Sequence, residues 1–231
     1  MDAFLDFDVI SKEELKEFQN EFTSKGVSGC LSYFEKKNEE WKTVPLKVGV
    51  IGSSGVGKSS FINAIRGLRS YAVGAAPVDV IETTVMPTEY PHPNNEMLKF
   101  WDLPGVGTPA FPKETYLAKI DVDSYDCFII MTANRFTESD AWLAKQIYYR
   151  QKHFYFVRSK IGHDILSDRF ERGFSHKEED VMDKIRLHTI EHLKKLDIND
   201  WVFLIDNHHR TKYDFDELEQ TIIFPISSVR R

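Results

Sequence analysis

The sequence predicts an α/β domain with a mostly parallel sheet of six strands and flanking helices. From about residue 46, short runs rich in β-branched and aromatic residues alternate with stretches of helical periodicity, which is the rhythm of such a domain. The chain has 231 residues, and at roughly 150 residues per domain this length allows one large domain with a helical appendage.

The appendage is predicted at the N-terminus. The segment Ser11-Lys12-Glu13-Glu14 is a capping box, and apolar residues follow it at helical spacing. A second helix is expected over about 28–41, after Gly26. The predicted organisation is a helical region, an α/β domain and a tail, at 1–44, 45–224 and 225–231.

The elements of the α/β domain follow from the hydrophobic pattern. Strands are predicted at Leu46–Ile51, Val80–Tyr90, Met97–Asp102, Cys127–Thr132, Phe154–Arg158 and Trp201–Ile205. Helices are expected between and after them at about 57–67, 113–121, 139–151, 176–196 and 214–222. The helix at 176–196 is expected to start at a second capping box, Ser175-His176-Lys177-Glu178. The stretch 161–175 has two glycines and no clear periodicity, so a surface loop is expected there.

Composition and charge limit the partners of the chain. Apolar residues make up 42% and charged residues 29% of the sequence, which is enough for a core and excludes a disordered chain. Lys and Arg total 30 and Asp and Glu total 36, so the formal net charge is −6. This acidic balance disfavours nucleic acid as a partner, because binding to phosphates needs clustered positive charge.

The sequence carries no signal for export or membrane insertion. No run approaches the roughly 18–20 apolar residues that span a bilayer, and the N-terminus lacks the basic start of a secretion signal. Asp2 excludes N-myristoylation. The only cysteines are Cys30 and Cys127, and the second lies in an apolar run, which favours a reducing compartment. The expected location is cytoplasmic.

A glycine-rich loop follows the first strand. The segment Gly52-Ser53-Ser54-Gly55-Val56-Gly57-Lys58-Ser59 matches G-x-x-x-x-G-K-[ST] between a predicted strand and a predicted helix, which is the pattern of a phosphate-binding loop (P-loop). Backbone N–H groups and the helix N-terminus are expected to surround the phosphates. Lys58 would supply a cation for the β- and γ-phosphates, and Ser59 a hydroxyl for magnesium.

A second motif ends the third strand. Asp102 is followed by Gly105 in a D-x-x-G pattern, which after a P-loop suggests that Asp102 holds magnesium through water and that the Gly105 N–H senses a γ-phosphate. Thr84, between the two motifs, is a candidate for closing over magnesium with its hydroxyl and carbonyl oxygens. The alternative is that Thr84 is an ordinary threonine of a strand with no role in metal binding.

The end of the fifth strand is a candidate site for the base. Guanine-specific proteins usually carry [NT]-K-x-D here, where the lysine stem stacks on the base and the aspartate accepts hydrogen bonds from it. Lys160 is in place, and Ser159 before it is a candidate nucleotide contact, but Gly162 stands at the aspartate position and Asp164 comes two residues later. Weak base selectivity is therefore expected unless Asp164 swings into the gap. Asp206-Asn207, after the sixth strand, offers a further base contact or a polar turn.

Taken together, these motifs closely resemble the immunity-related GTPases, which are interferon-inducible, dynamin-like vertebrate proteins of cell-autonomous defence. The resemblance rests on 52–59, on Trp101-Asp102-Leu103-Pro104-Gly105-Val106-Gly107, on Tyr125-Asp126 and on 154–160, and it covers about 45–222. Because it carries Lys58 in the P-loop, the chain resembles the branch of the family that has a lysine at this position. The chain ends at Arg231, ahead of the family's helical C-terminal domain, so a short form is expected.

The resemblance implies a Ras-like P-loop GTPase domain that takes GTP or GDP and magnesium. It also implies self-association or association with related GTPases, and peripheral action at intracellular membranes or pathogen vacuoles. It assigns magnesium to Ser59 and Thr84, and base recognition to Lys160. It assigns phosphate binding to Gly52, Ser53, Ser54, Gly55, Val56, Gly57, Lys58, Ser59 and Ser60.

Two functions remain open from the sequence. The first is a GTP hydrolase with slow intrinsic turnover that a second molecule activates, because Val106 stands where many small GTPases place a water-orienting glutamine. The second is a nucleotide-sensing regulatory module with little hydrolysis and relaxed base specificity. The intact Lys58, Ser59 and Asp102 favour the hydrolase, and Gly162 favours the regulator.

Overall fold

The computed structural model describes residues 12–79, 84 and 86–223, with side chains from residue 15 onwards except at 34–43. The chain divides into two compact units between Pro45 and Leu46. The N-terminal unit is α1 (Lys12–Thr43), which is interrupted at Gly26, where φ is 61° and ψ is −146°. The predicted break between two helices is therefore present. Phe18 and Tyr33, on opposite sides of the break, contact each other edge to face.

The C-terminal unit contains a six-stranded sheet in the order β2-β3-β1-β4-β5-β6. The strands are β1 (Leu46–Gly52), β2 (Thr88–His92), β3 (Asn95–Asp102), β4 (Cys127–Ala133), β5 (His153–Ser159) and β6 (Val202–Leu204). All neighbouring pairs are parallel except the hairpin of β2 and β3 at one edge. The predicted fold class is confirmed.

Helices cover both faces of the sheet. They are α2 (Lys58–Ile65), α3 (Lys113–Lys119), α4 (Glu138–Tyr149), α5 (Ile161–Arg172), α6 (Glu178–Lys194) and α7 (Phe215–Ile223). The buried residues of α2 and α7 pack with one face of the sheet. Those of α3, α4, α5 and α6 pack with the other face. The two apolar layers fix the sheet, so the loops at the carboxyl ends of its parallel strands are held close together.

The predicted surface loop at 161–175 is wrong, because most of this stretch forms α5. The helix has a narrow apolar stripe, in which Ile161 and Ile165 are one turn apart and buried against the sheet. Asp164 lies in its first turn, where a negative charge favours a helix. Because only two residues of the helix are buried and many of the others are charged, the sequence showed too little hydrophobic periodicity for a helix to be predicted.

The predicted capping box before α6 is also wrong. The helix begins at Glu178, and no side chain caps its first turn. The hydroxyl of Ser175 instead donates to the carbonyl of Arg172, which closes the turn at the end of α5. His176 is paired with Asp168, with 2.9 Å between Nδ1 and Oδ2.

The second predicted strand, Val80–Tyr90, lies partly outside the described residues, at 80–83 and 85. Within the described part, β2 begins at Thr88 and continues to His92 as an edge strand. Among the described residues, no helix combines the length and the apolar character needed to cross a membrane.

Candidate functional site

The P-loop joins the end of β1 to the start of α2. Gly55 and Gly57 have φ of 76° and 94°, so the backbone makes turns that other residues rarely adopt. Lys58 is the first residue of α2, and its ammonium group donates to the carbonyls of Gly52 and Ser53 at 3.4 and 3.1 Å. This buried ammonium group lies inside the loop, where a phosphate would meet both the cation and the N-terminus of the helix.

Three side chains meet beside the P-loop. Asp102, at the end of β3, is almost completely buried, and its Oδ2 accepts hydrogen bonds from Ser59 Oγ at 2.5 Å and Thr84 Oγ1 at 3.0 Å. The structure therefore brings together the three residues that were predicted to hold magnesium. Thr84 is 18 positions from Asp102 in the chain, so the fold creates this contact.

The surroundings of Asp102 change its pKa. Burial raises the pKa of Asp102, although the Ser59 hydroxyl, the charge of Lys58 and the Thr84 hydroxyl act in the opposite direction. Its second oxygen, Oδ1, is buried and has no hydrogen-bond partner among the described residues. Two hydroxyls and a carboxylate with an unused oxygen are hard oxygen ligands, which magnesium prefers. The residues present fit a magnesium ion.

The segment after Asp102 lies directly against the P-loop. Val106 N donates to Gly52 O at 3.2 Å, and Ser53 and Val106 form an isolated β-bridge. A Cβ on Gly105 would lie 2.8 Å from the backbone nitrogen of Ser54, so only glycine permits this approach. The side chain of Val106 is buried in the apolar layer.

A cavity of about 250 Å³ opens next to the P-loop, at the ends of β5 and β6. Lys160 borders it and adopts the left-handed conformation, with φ of 61° and ψ of 27°, just before α5. Asn207 borders it from the other side and donates to Gly57 O at 3.0 Å. Its own Oδ1 is buried and has no hydrogen-bond partner within the described part of the chain. The full lining is Gly57, Ser60, Lys160, His163, Asp206, Asn207 and His208.

Two lining residues, His163 and His208, were not predicted from the sequence. His163 is one helical turn after Lys160, and His208 directly follows Asn207. Their proximity to predicted site residues was the available signal. The motif patterns say nothing about a histidine at either position.

Ser159, which the sequence predicts as a nucleotide contact, is not among the residues that line this cavity. Its side chain is completely buried, and Oγ lies 2.6 Å from Val56 O and 3.1 Å from Thr132 O. The hydroxyl therefore holds the P-loop against the ends of β4 and β5. These contacts are those expected of a residue that positions the P-loop.

Replacing Ser159 with alanine is expected to lower the free energy of unfolding by about 1–3 kcal/mol, because a buried carbonyl loses its hydrogen-bond donor. Nucleotide affinity should change by less than about tenfold. Urea unfolding and a nucleotide titration measure the two effects, with Ser167→Ala, at an exposed position on α5, as the matched control. Unchanged stability together with a large loss of affinity would mean that Ser159 touches the nucleotide.

Asp164, a candidate nucleotide contact if it swung into the gap at Gly162, is also not among the residues that line the cavity. Its Oδ2 is 2.5 Å from Nη2 of Arg158, whose side chain is almost fully buried. Both residues line a separate cavity that is bordered by α5 and α6 and not by Lys160. Asp164 is held there because the buried guanidinium of Arg158 needs a negative partner.

Comparisons with known proteins place this chain in a family. A profile of the family described as Interferon-inducible GTPase (IIGP) matches residues 11–231. The chain belongs to this family. It is 37% identical over 224 residues to mouse T-cell-specific guanine nucleotide triphosphate-binding protein 2, covering 96% of this chain and 54% of that protein. It is 36% identical over 224 residues to rat Interferon-inducible GTPase 5, covering 96% and 48%.

A third relative is mouse Interferon-inducible GTPase 1, with 39% identity over 187 residues that cover 80% of this chain and 45% of the relative. This IIGP chain thus spans about half the length of the curated relatives that it matches. The resemblance to interferon-inducible GTPases inferred from the motifs is confirmed.

Solved structures similar to the IIGP chain show the same fold. Toc33 from Arabidopsis thaliana, in complex with Mg²⁺ and GMPPNP, aligns with a TM-score of 0.59 and 15% identity, covering 91% of this chain and 97% of Toc33. LeoA, a bacterial dynamin GTPase from ETEC, aligns with a TM-score of 0.60 and 12% identity, covering 94% and 43%. At these identities the similarity establishes the fold alone.

Proposed function

We propose that this chain binds GTP with magnesium and hydrolyses it to GDP and phosphate. The observation that carries the proposal is the meeting of Ser59, Thr84 and Asp102 beside the ammonium group of Lys58. This arrangement places oxygen ligands and a cation at the end of a loop that fits phosphates. Membership of a GTPase family supports guanine nucleotides as the ligands.

The chain's own residues supply three parts of the reaction. The P-loop holds the phosphates, and Lys58 offsets the negative charge that grows on them during in-line attack by water. Ser59, Thr84 and Asp102 would hold magnesium, which supplies further charge compensation at the phosphate oxygens when it is bound. The Gly105 N–H is the remaining donor on the side of the γ-phosphate.

Position 106, where many small GTPases have a water-orienting glutamine, does not provide such a side chain. The side chain at the water-orienting position is Val106, which is apolar and buried. Intrinsic turnover should therefore be slow, and a group from a second molecule should raise it. Self-association, or association with related GTPases, is the proposed source of that group.

We expect the rate of phosphate release per molecule to rise with protein concentration. The measurement is a series over about a hundredfold range of concentration with GTP in excess, combined with light scattering. An inert protein added to the same total concentration is the control. A constant rate per molecule, with only monomers seen in scattering, would contradict activation by self-association.

The alternative function is a nucleotide-sensing module that hydrolyses little, and the buried Val106 is the observation that favours it. A single-turnover experiment separates the two. Bound GTP that persists at all protein concentrations, while its binding changes a partner's affinity, would support the sensing module. Conversion of bound GTP to GDP that becomes faster at high concentration supports the hydrolase.

The biological setting is proposed from the family. An interferon-inducible role in cell-autonomous innate defence is supported by the family match and by the names of the relatives. Action at intracellular membranes or pathogen vacuoles is part of the same proposal. Induction of the transcript by interferon, and location of the tagged full-length protein in infected cells, are the measurements that test it.

A further inference from the structure

The gap left by Gly162 is filled by another residue. A Cβ built on Gly162 would lie 2.1 Å from Oδ2 of Asp206 and 3.3 Å from its Cγ. The carboxylate of Asp206 therefore occupies the space into which a side chain at position 162 would project. Gly162 does not have a positive φ, so what its missing side chain provides here is space.

The backbone holds Asp206 in this place. Ile205 N donates to Arg158 O at 2.9 Å, and Ile161 N donates to Ile205 O at 3.2 Å, so the segment after β6 is tied to the start of α5. Oδ1 of Asp206 accepts a hydrogen bond from His208 N at 2.8 Å. Oδ2, the atom next to Gly162, lies 3.3 Å from Nδ1 of the largely exposed His209.

Asp206 also borders the cavity beside the P-loop. The same cavity is bordered by Lys160, whose stem is the expected stacking surface for a base, and by Gly57 of the P-loop. Asn207, the next residue, is hydrogen-bonded to the Gly57 carbonyl and so links this segment to the loop that would hold the phosphates. A base placed against Lys160 would therefore meet the carboxylate of Asp206.

We propose that Asp206 is the base-recognising carboxylate of this chain and takes over the role of the side chain that Gly162 lacks. The proposal rests on the proposed binding of a nucleotide. An ionised carboxylate only accepts hydrogen bonds, and guanine offers two adjacent donors, its ring N–H and its exocyclic amino group. Adenine presents a ring acceptor at the corresponding position. Two charge-assisted bonds correspond to a preference of roughly 10²- to 10⁴-fold for guanine.

This inference replaces the expectation of weak base selectivity. The [NT]-K-x-D pattern describes only the residues at the end of β5. It therefore does not detect the carboxylate of Asp206, which comes from the loop after the neighbouring strand, β6. Parallel pairing of β5 and β6 brings the two strand ends side by side. A carboxylate can then reach the same space from either chain segment.

The test compares the affinities of the whole chain for GDP, XDP and ADP by fluorescent nucleotide titration. Xanthine has a carbonyl where guanine has its amino group, and an amide can donate to that carbonyl. Asp206→Asn should therefore weaken GDP binding by about a hundredfold or more and strengthen XDP binding. Asp164→Asn tests the rival carboxylate and should leave the preference for GDP over XDP unchanged.

A pair of variants tests whether the carboxylate can be moved. Gly162→Asp alone should lose affinity, because its Cβ would collide with Asp206. Gly162→Asp combined with Asp206→Ser removes the collision and returns a carboxylate to position 162, so the preference for GDP should recover. A residue that only shapes the turn would not give this recovery. Thermal melts without nucleotide report the folding of each variant.

The outcomes distinguish this inference from the proposed function. If the wild-type chain binds GDP but Asp206→Asn keeps the wild-type ratio of GDP to XDP affinity, the role of Asp206 is overturned and nucleotide binding stands. The same holds if Asp206→Asn remains folded and loses all three nucleotides equally, or if the double variant remains folded without the GDP preference. If the folded wild-type chain binds none of the three nucleotides, the proposed function fails and this inference fails with it.

Discussion

Lys58→Ala is expected to weaken guanine nucleotide binding by at least about a hundredfold. The ammonium group lies inside the P-loop, and each charge-assisted hydrogen bond to a phosphate contributes about 1.5–3 kcal/mol. The fold should persist, because this side chain contacts backbone carbonyls of the loop and does not belong to either apolar layer. A fluorescent nucleotide titration and a thermal melt measure the two effects.

The matched control for this experiment is Lys195→Ala. Lys195 is an exposed lysine at the end of α6, so the substitution removes the same charge from the surface. Its nucleotide affinity should equal that of the wild type. An affinity retained in Lys58→Ala, with a normal melt, would contradict the assignment of 52–59 as a phosphate site.

Asp102→Asn should abolish the effect of magnesium on nucleotide affinity and slow hydrolysis by about 10²–10³-fold. Asparagine has nearly the same shape as aspartate and can still bond with Ser59 and Thr84, but it lacks the negative charge that attracts the cation. The measurements are nucleotide affinity over a magnesium titration and the rate of phosphate release. Magnesium dependence that survives in this variant would contradict the proposed ligand set.

The same substitution should raise the melting temperature of the nucleotide-free, metal-free protein at neutral pH. Burial raises the pKa of Asp102 in the folded state. This carboxyl therefore contributes stability below its unfolded-state pKa, and the contribution is lost as the pH rises through the folded-state value. Melting temperatures of both proteins over a pH series test this sign, and the gain in Asp102→Asn should shrink towards acid pH.

Asp140→Asn is the matched control. Asp140 is also buried with a raised pKa, and its Oδ2 accepts from the hydroxyls of Thr132 and Thr137 and from Thr137 N. It caps α4 and lies outside the P-loop, so this variant should keep its response to magnesium. Loss of the magnesium response in both variants would indicate a general effect of removing a buried carboxylate.

Local patterns were sufficient to predict the glycine-rich loop and the strand and helix that flank it. The P-loop, the strand that enters it and the helix that leaves it are adjacent in the chain, so their residue types carry the whole signal. Asp102 and Gly105 were recognisable because the end of a strand and the turn after it are also local. The sheet followed from runs of residues that are buried on both faces.

The proposed base half of the site depends on contacts between distant segments. Position 162 reads as a missing carboxylate until the loop after β6 is seen to place Asp206 in the same space. Asp164 reads as the nearest substitute until Arg158 is seen to hold it elsewhere. No spacing rule links residues 162 and 206, because only the pairing of β5 with β6 brings them together.

The sequence by itself determined which chemical groups this protein possesses, namely the P-loop, its lysine and the D-x-x-G turn, because each is encoded within a few consecutive residues. Tertiary structure decided which groups lie together. In the fold, Thr84 donates a hydrogen bond to Asp102, and Ser159 donates one to the P-loop carbonyl of Val56. The carboxylate of Asp206 lies beside Gly162. The physical reason is that burial and hydrogen bonding are satisfied in space, between residues whose separation along the chain carries no information about their distance.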